Sequence, residues 1–270
     1  MKKIMKSRIF IFILTAIIFT SIGVYAATTY KASDVIYNAS DGTSKNVNDA
    51  LNELYAKKST CDNKFCSSLK TGSAVFYNPV SGTKCDAGEA VTSSTTGTKT
   101  GCMKWYIYNY NNESSTVDMI LDHNTTAGIA WNSNNKNVAY EDSLVKLEVD
   151  KLVSESKWKD IPRLIRAEEI VQITGKTDWT NTSAEFELDS VKENGKSKYA
   201  WLFDYTSICT GFGCNIADSS NEGYWTSTPY GEVGNCVWSV HSYNRAVCIS
   251  AQDKRMGIRP VITILKSKLS

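Results

Sequence analysis

Histidine is scarce in this chain: His123 and His241 are the only two in 270 residues. That removes most routes to general-base catalysis and to histidine-rich metal centres, because imidazole titrates near neutral pH and is the commonest nitrogen ligand. No Gly-x-Ser-x-Gly elbow occurs, which excludes a serine hydrolase of that type. An excess of one charge is also missing, since 30 Lys and Arg stand against 28 Asp and Glu. Four of the cations, Lys2, Lys3, Lys6 and Arg8, crowd the first eight residues, so the remainder is slightly acidic and no nucleic-acid partner is expected. Internal repeats and extended low-complexity tracts are absent, which excludes repeat architectures.

Long apolar runs are absent too, except one at the start. After the basic residues, Ile9 to Val24 is almost unbroken and apolar, and "VYA" then offers small residues for cleavage after Ala26. This is the pattern of an export signal. The run is shorter than the roughly 20 residues that cross a bilayer comfortably, which favours cleavage over a retained anchor. Membrane association is expected only through this segment, if it stays uncleaved. A prepilin-type leader would need a Gly before the run and an acid just inside it, and neither is present.

What is present in quantity is cysteine. Cys61, Cys66, Cys85, Cys102, Cys209, Cys214, Cys236 and Cys248 all follow the leader, and an even count in an exported chain reads as a disulfide framework. Neighbouring cysteines would close short loops, although the sequence does not choose among the possible pairings. Zinc fits less well, because the close pairs are C-x₄-C and lie far apart. No metal and no cofactor are expected.

Along the chain, Val47, Ala50, Leu51, Leu54 and Tyr55 stripe one face of an amphipathic helix after a turn at Ser40-Asp41-Gly42. From Leu69 to Asn132 the pattern is that of strands and polar loops. Met103, Trp105 and Ile107 alternate there with Lys104, Tyr106, Tyr108 and Tyr110, giving a tyrosine-rich face read chiefly as sheet filler. Two helices are expected over Glu141–Trp158 and Arg166–Thr174, separated by Pro162, with Gly175 at the second helix stop. "YAWLFDY" from Tyr199 reads as a strand, and short strands and turns continue to "VITIL". The Asn-x-Ser/Thr matches at Asn38, Asn112, Asn124 and Asn181 read as chance.

Four segments stand in a telling order: "IPRLIRAEEIVQITG", "GYWTSTP", "CVWSV" and "GIRPVITI". Together, over about Leu69 to Leu265, they resemble exported bacterial domains of the C-type-lectin-like superfamily. The branch concerned contains formylglycine-generating-enzyme-like domains and the C-terminal domain of collagen-like adhesins. "GYWTSTPYG", "VYAATTYKASDV" and "VNDALNELY" are also similar to segments of uncharacterised exported proteins of AT-rich bacteria. The resemblance implies an α+β, C-type-lectin-like fold: an antiparallel sheet with two helices and long disulfide-clipped loops, preceded by the amphipathic helix. The expected organisation is a signal peptide (1–26), an N-terminal segment (27–60) and the lectin-like domain (61–270). It further implies a Tyr-Trp turn at Gly223–Pro229 and a closing strand, Val261 to Leu265, that pairs the two ends of the chain. Trp225 and Arg259 are expected to be structural. Where the family has Pro-Thr after Arg-Leu, this chain has Ile165-Arg166, so the hydroxyl N-cap is missing and the start of that helix stays open.

The resemblance places an exposed loop face between the Tyr-Trp turn and the closing strand. Tyr230, Trp238, His241, Tyr243, Asn244 and Arg245 are the candidate binding residues there, suited to an unknown extracellular carbohydrate or protein. Calcium-dependent sugar binding lacks its Glu-Pro-Asn and Trp-Asn-Asp motifs, and Asp122, His123 and Asn124 give too few converging oxygens, leaving His123 as a loop or sheet-edge residue. A copper oxidase would need a cysteine pair between the turn and the closing Arg, where Cys236 and Cys248 have eleven residues between them, while Cys209 and Cys214 precede the turn. The leading expectation is a non-catalytic, secreted or surface-bound binding protein. An oxidase relative and a structural component that docks through the Val47–Tyr55 helix are the alternatives.

Overall fold

The computed structural model describes residues 36–38, 44–46, 67–93, 97–176, 178–183, 185–188, 192–193, 196–203, 221–231 and 234–270. The expected leader, the helix expected over Val47–Tyr55, and Cys61, Cys66, Cys209 and Cys214 lie outside them. The chain divides into two units, Met1–Ser59 and Thr60–Ser270. In the first, β1 (Ile36–Asn38) and β2 (Ser44–Asn46) pair antiparallel, and the expected turn at Ser40-Asp41-Gly42 lies outside the described residues.

The second unit is α+β and mostly strand. Its strands are β3 (Ala74–Asn78), β4 (Thr83–Lys84), β5 (Met103–Asn109), β6 (Thr116–Leu121), β7 (Arg163–Leu164), β8 (Phe186–Glu187), β9 (Lys192–Glu193), β10 (Lys196–Ser197), β11 (Gly223–Pro229), β12 (Cys236–His241), β13 (Arg245–Ser250), β14 (Met256–Gly257) and β15 (Pro260–Leu265). The helices described are α1 (Leu144–Ser154), α2 (Ala167–Thr174) and the single turn α3 (Ala200–Phe203). One sheet has the order β4-β3-β5-β6-β15-β7 and is antiparallel throughout. The other has the order β14-β11-β12-β13-β8, with β14 parallel to β11.

The last strand does join an early one, but not the first. β15 lies between β6 and β7, with Val261 opposite Ile120 and Leu265 opposite Thr116, while β3 and β4 hold the far edge. Pro260 opens β15, where its missing N–H disturbs the ladder least. Just before it, Gly257 belongs to β14, so the chain changes sheets across Ile258 and Arg259. Gly257 is required by close approach, since a Cβ there would fall 2.6 Å from the Asn221 amide and 2.7 Å from that of Asn124.

Arg259 fixes this corner. Fully buried, it donates from Nε to the Leu121 carbonyl at 2.5 Å and from its two terminal nitrogens to those of Leu202 (2.9 Å) and Trp201 (2.7 Å). The last two carbonyls are free because α3 is one turn long and its C-terminal carbonyls have no helical partner. "YAWLFDY" is therefore not a strand over Ala200–Phe203. A helical turn lets Trp201, Leu202 and Phe203 all bury, and it turns their carbonyls to the guanidinium.

The "GYWTSTP" segment is likewise a strand rather than a turn, with its register to β12 irregular between Trp225 and Pro229. Trp225 is fully buried, donates to the Ile129 carbonyl at 2.7 Å and meets Trp131 edge-on at 6.0 Å. The Val145–Val149 face of α1 packs on the same cluster. Trp105, Met119 and Ile262 form a second cluster with Trp158, and Ile120, Val261, Ile170 of α2 and Tyr224 a third.

α2 begins at Ala167 without a hydroxyl of its own at the cap. Instead the Thr228 hydroxyl of β11 accepts from Ala167 N–H at 3.0 Å, and the Glu169 carboxylate accepts from Arg166 N–H at 2.8 Å. The helix ends at Gly175, whose φ of 70° is the left-handed stop expected of it.

Two disulfides close local loops. Cys85–Cys102 and Cys236–Cys248 have Cα separations of 6.1 and 5.6 Å, and no cysteine among the described residues is free. They point to an oxidising, extracellular environment. No helix among the described residues is long and apolar enough to cross a membrane.

Candidate functional site

The six candidate binding residues separate into a packed group and an exposed one. Trp238 is fully buried, so it is not available to a ligand. It lies on β12, with both faces of the strand covered, and its ring is enclosed by Trp179 (5.5 Å), Phe186 (5.9 Å) and Tyr230 (5.6 Å). Its indole N–H donates to the Asn181 side chain at 2.8 Å. Tyr230 is half-buried against it and donates to the Thr182 carbonyl.

The other four occupy the tip of the β12–β13 hairpin. Asn244, at φ 66°, takes the left-handed position that reverses the chain. Tyr243 is 74% exposed, and its ring lies flat on His241 with centroids 4.6 Å apart and planes 14° apart. Tyr243 N–H donates to His241 Nδ1 at 3.4 Å, and Nε2 of the same ring faces Glu222 at 3.2 Å. Arg255 holds the same Glu222 carboxylate at 2.7 Å and that of Asp253 at 2.6 Å. On the other side Arg245 pairs with Glu185. Glu185, His241, Tyr243, Arg245 and Val247 enclose an open groove of about 470 Å³. The result is a rigid aromatic face rimmed by paired charges, able to stack on an apolar ring face and to hydrogen bond around its edge.

A second concavity lies on the tyrosine-rich face of β5. Here Tyr108 is nearly buried, and its hydroxyl accepts from Arg163 at 2.7 Å and donates to Glu169 at 3.3 Å. Arg163 grips the Glu169 carboxylate with both terminal nitrogens, at 2.8 and 2.6 Å. Burial works to raise the Glu169 carboxyl, but this guanidinium and Arg166 N–H together hold it below the usual carboxylate range. Thr71, Tyr110, Lys198 and Tyr199 line the two adjoining cavities above this floor, of about 460 and 610 Å³. Sequence reading missed most of this cleft, because its residues come from four distant segments. The one signal was the alternation of tyrosines along β5.

The "LDHNTT" stretch proves to be interior. His123 follows β6 in a loop, as expected, but is fully buried rather than at an edge. Asp122 beside it accepts from Ser93 N–H at 2.6 Å and pairs with Lys104 at 3.2 Å. Asn124 and Thr125 tie the same loop to the Gly223 carbonyl and to the Ile258 backbone. This polar run joins the two sheets. No group of three or more His, Cys, Asp or Glu among the described residues is arranged to hold a metal ion.

No protein-family model, curated protein or solved structure matches this chain. The functional reading therefore rests on its own geometry.

Proposed function

We propose that the chain is an exported, non-catalytic binding module of C-type-lectin-like fold that acts outside the cell. Its ligand, a carbohydrate or a protein, is taken at the tip of the β12–β13 hairpin. One observation carries the reading: Tyr243 leaves three quarters of its surface in water while its ring stacks on His241. An exposed aromatic already stacked on a neighbour loses less conformational entropy when a partner stacks on its free face. The Cys236–Cys248 bridge across the base of the hairpin supports the same view, and it leaves neither sulfur as a thiolate for an oxidase metal. A last strand that enters the sheet beside β6, after a Gly-Ile-Arg-Pro corner, supports the lectin-like fold. The test is a glycan array, with and without calcium, probed with wild-type protein and Tyr243→Ala. Binding that falls about tenfold or more in the variant is expected. Equal signals from the two proteins would count against the hairpin tip.

A further inference from the structure

We infer that the cleft on the β5 face is a second binding site, separate from the hairpin tip, and that it takes an acidic saccharide. Three features on different segments converge there. The first is charge. Lys70, Arg166 and Lys198 line the cleft as exposed cations, while Glu169, the one acid among the lining residues, is shared between Arg163 at 2.6 Å and Arg166 at 3.7 Å. The cleft is thus cationic on a unit that is otherwise close to neutral, and a dissolved anion gains from several cations at once. The hairpin groove differs, because Arg245 and Arg255 there have three carboxylates between them, whereas Arg163 and Arg166 share Glu169.

The second feature is chemistry suited to sugars rather than to bare phosphate. Tyr110, Tyr199 and Trp201 border the same space, and Gln172 and Thr71 add an amide and a hydroxyl on its rim. Aromatic edges with planar hydrogen-bonding groups fit pyranose rings, whose faces are apolar and whose perimeters are polar. The third is preparation. The Tyr108–Glu169–Arg163 network fixes the floor, and Glu169 anchors the Arg166 backbone, so the cleft is formed before any ligand arrives. Each cavity falls within the ~300–1,000 Å³ typical of small-ligand clefts, and the two share Thr71, Tyr110, Lys198 and Tyr199 as lining. A strand of two or three sugars, its acid groups directed to Lys70, Arg166 and Lys198, fits that outline.

The source of the acid group is settled by using two polymers. Full-length exported protein is titrated calorimetrically with polygalacturonate (carboxylate), with phosphomannan (phosphate), with neutral dextran and with poly-glutamate. The expected result is binding to at least one of the two acidic saccharide polymers, the tighter one naming the acid group, with weakening as NaCl rises. Arg166→Ala and Lys198→Ala are each expected to weaken it about tenfold, and the double variant to abolish it. Both side chains are exposed, so circular dichroism should show an unchanged fold. Tyr243→Ala should bind the polymer as wild type does, which separates this site from the hairpin tip. Equal binding of dextran, equal or tighter binding of poly-glutamate, an unaffected double variant, or no binding to either acidic saccharide polymer would overturn the proposal.

Discussion

Arg259 shows how one side chain can hold a corner of this fold. Three backbone carbonyls and the ring of Tyr224, 5.3 Å from the guanidinium carbon, receive its charge. Removing the donor takes a charged hydrogen bond from each of these buried carbonyls, of which that of Leu202 keeps the Tyr224 hydroxyl at 2.8 Å, so Arg259→Ala is expected to cost about 3–5 kcal/mol in urea unfolding. Arg259→Lys keeps the charge but lacks the planar fork, and it should recover only part of that loss. His123 makes a different contribution. Neither ring nitrogen has a hydrogen-bond partner among the described residues, and burial, aided by Arg259 and opposed by Asp122, pushes its pKa down to about 4. The unfolded chain takes up the proton first, near pH 6.5, so the stability from a neutral His123 is complete above that pH. It is lost progressively as the pH falls toward 4, by about 3 kcal/mol in all. Denaturant midpoints measured across this range should show the slope, and His123→Gln should flatten it.

The helices display what an element owes to its own sequence and what it borrows. α1 carries its own cap, Ser143 accepting from Lys146 N–H at 3.0 Å, and its buried face follows Val145, Val149 and Leu152. α2 borrows its hydroxyl from Thr228, 61 residues away. Thr228→Val keeps the shape and removes the acceptor, and it is expected to destabilise by about 1–2 kcal/mol in thermal or urea unfolding. Thr228→Ser should restore most of the loss. The same contrast explains how much could be read in advance. Helical period, the Gly175 stop, the strand entry at Pro260 and the core position of Trp225 were legible, because each depends on neighbours in sequence or on bulk alone. The helical turn at Ala200–Phe203 was not, since its conformation answers to Arg259 some 56 residues later. Trp238 read as a ligand contact because an alternating strand shows no sign of being covered on both faces. Of the proposed sites, the hairpin tip was visible as a turn bearing Tyr243 and Asn244. The β5 cleft was not, because it exists only where Lys70, Tyr110, Arg166 and Lys198 are brought together.

At the scale of the molecule, the sulfur bridges and the last strand make unequal contributions. Each disulfide closes a short loop, 12 or 17 residues in separation, and acts mainly by restricting the unfolded chain. The Cys236→Ser/Cys248→Ser pair is therefore expected to lose about 3 kcal/mol yet still melt in one step. β15 is another matter. It is an interior strand whose neighbours β6 and β7 pair only through it, and its residues join two of the core clusters. Removing residues 261–270 strips the β15 partner from five of the six residues of β6, leaving that strand paired on its β5 side alone, and it opens both clusters to water. No surrounding segment can refill a vacancy of that size by side-chain relaxation. The truncated protein should thus lose its cooperative thermal transition and its near-ultraviolet circular dichroism, even with both bridges intact. A sharp melt within a few degrees of wild type would mean that the tail lies on the fold rather than completing it.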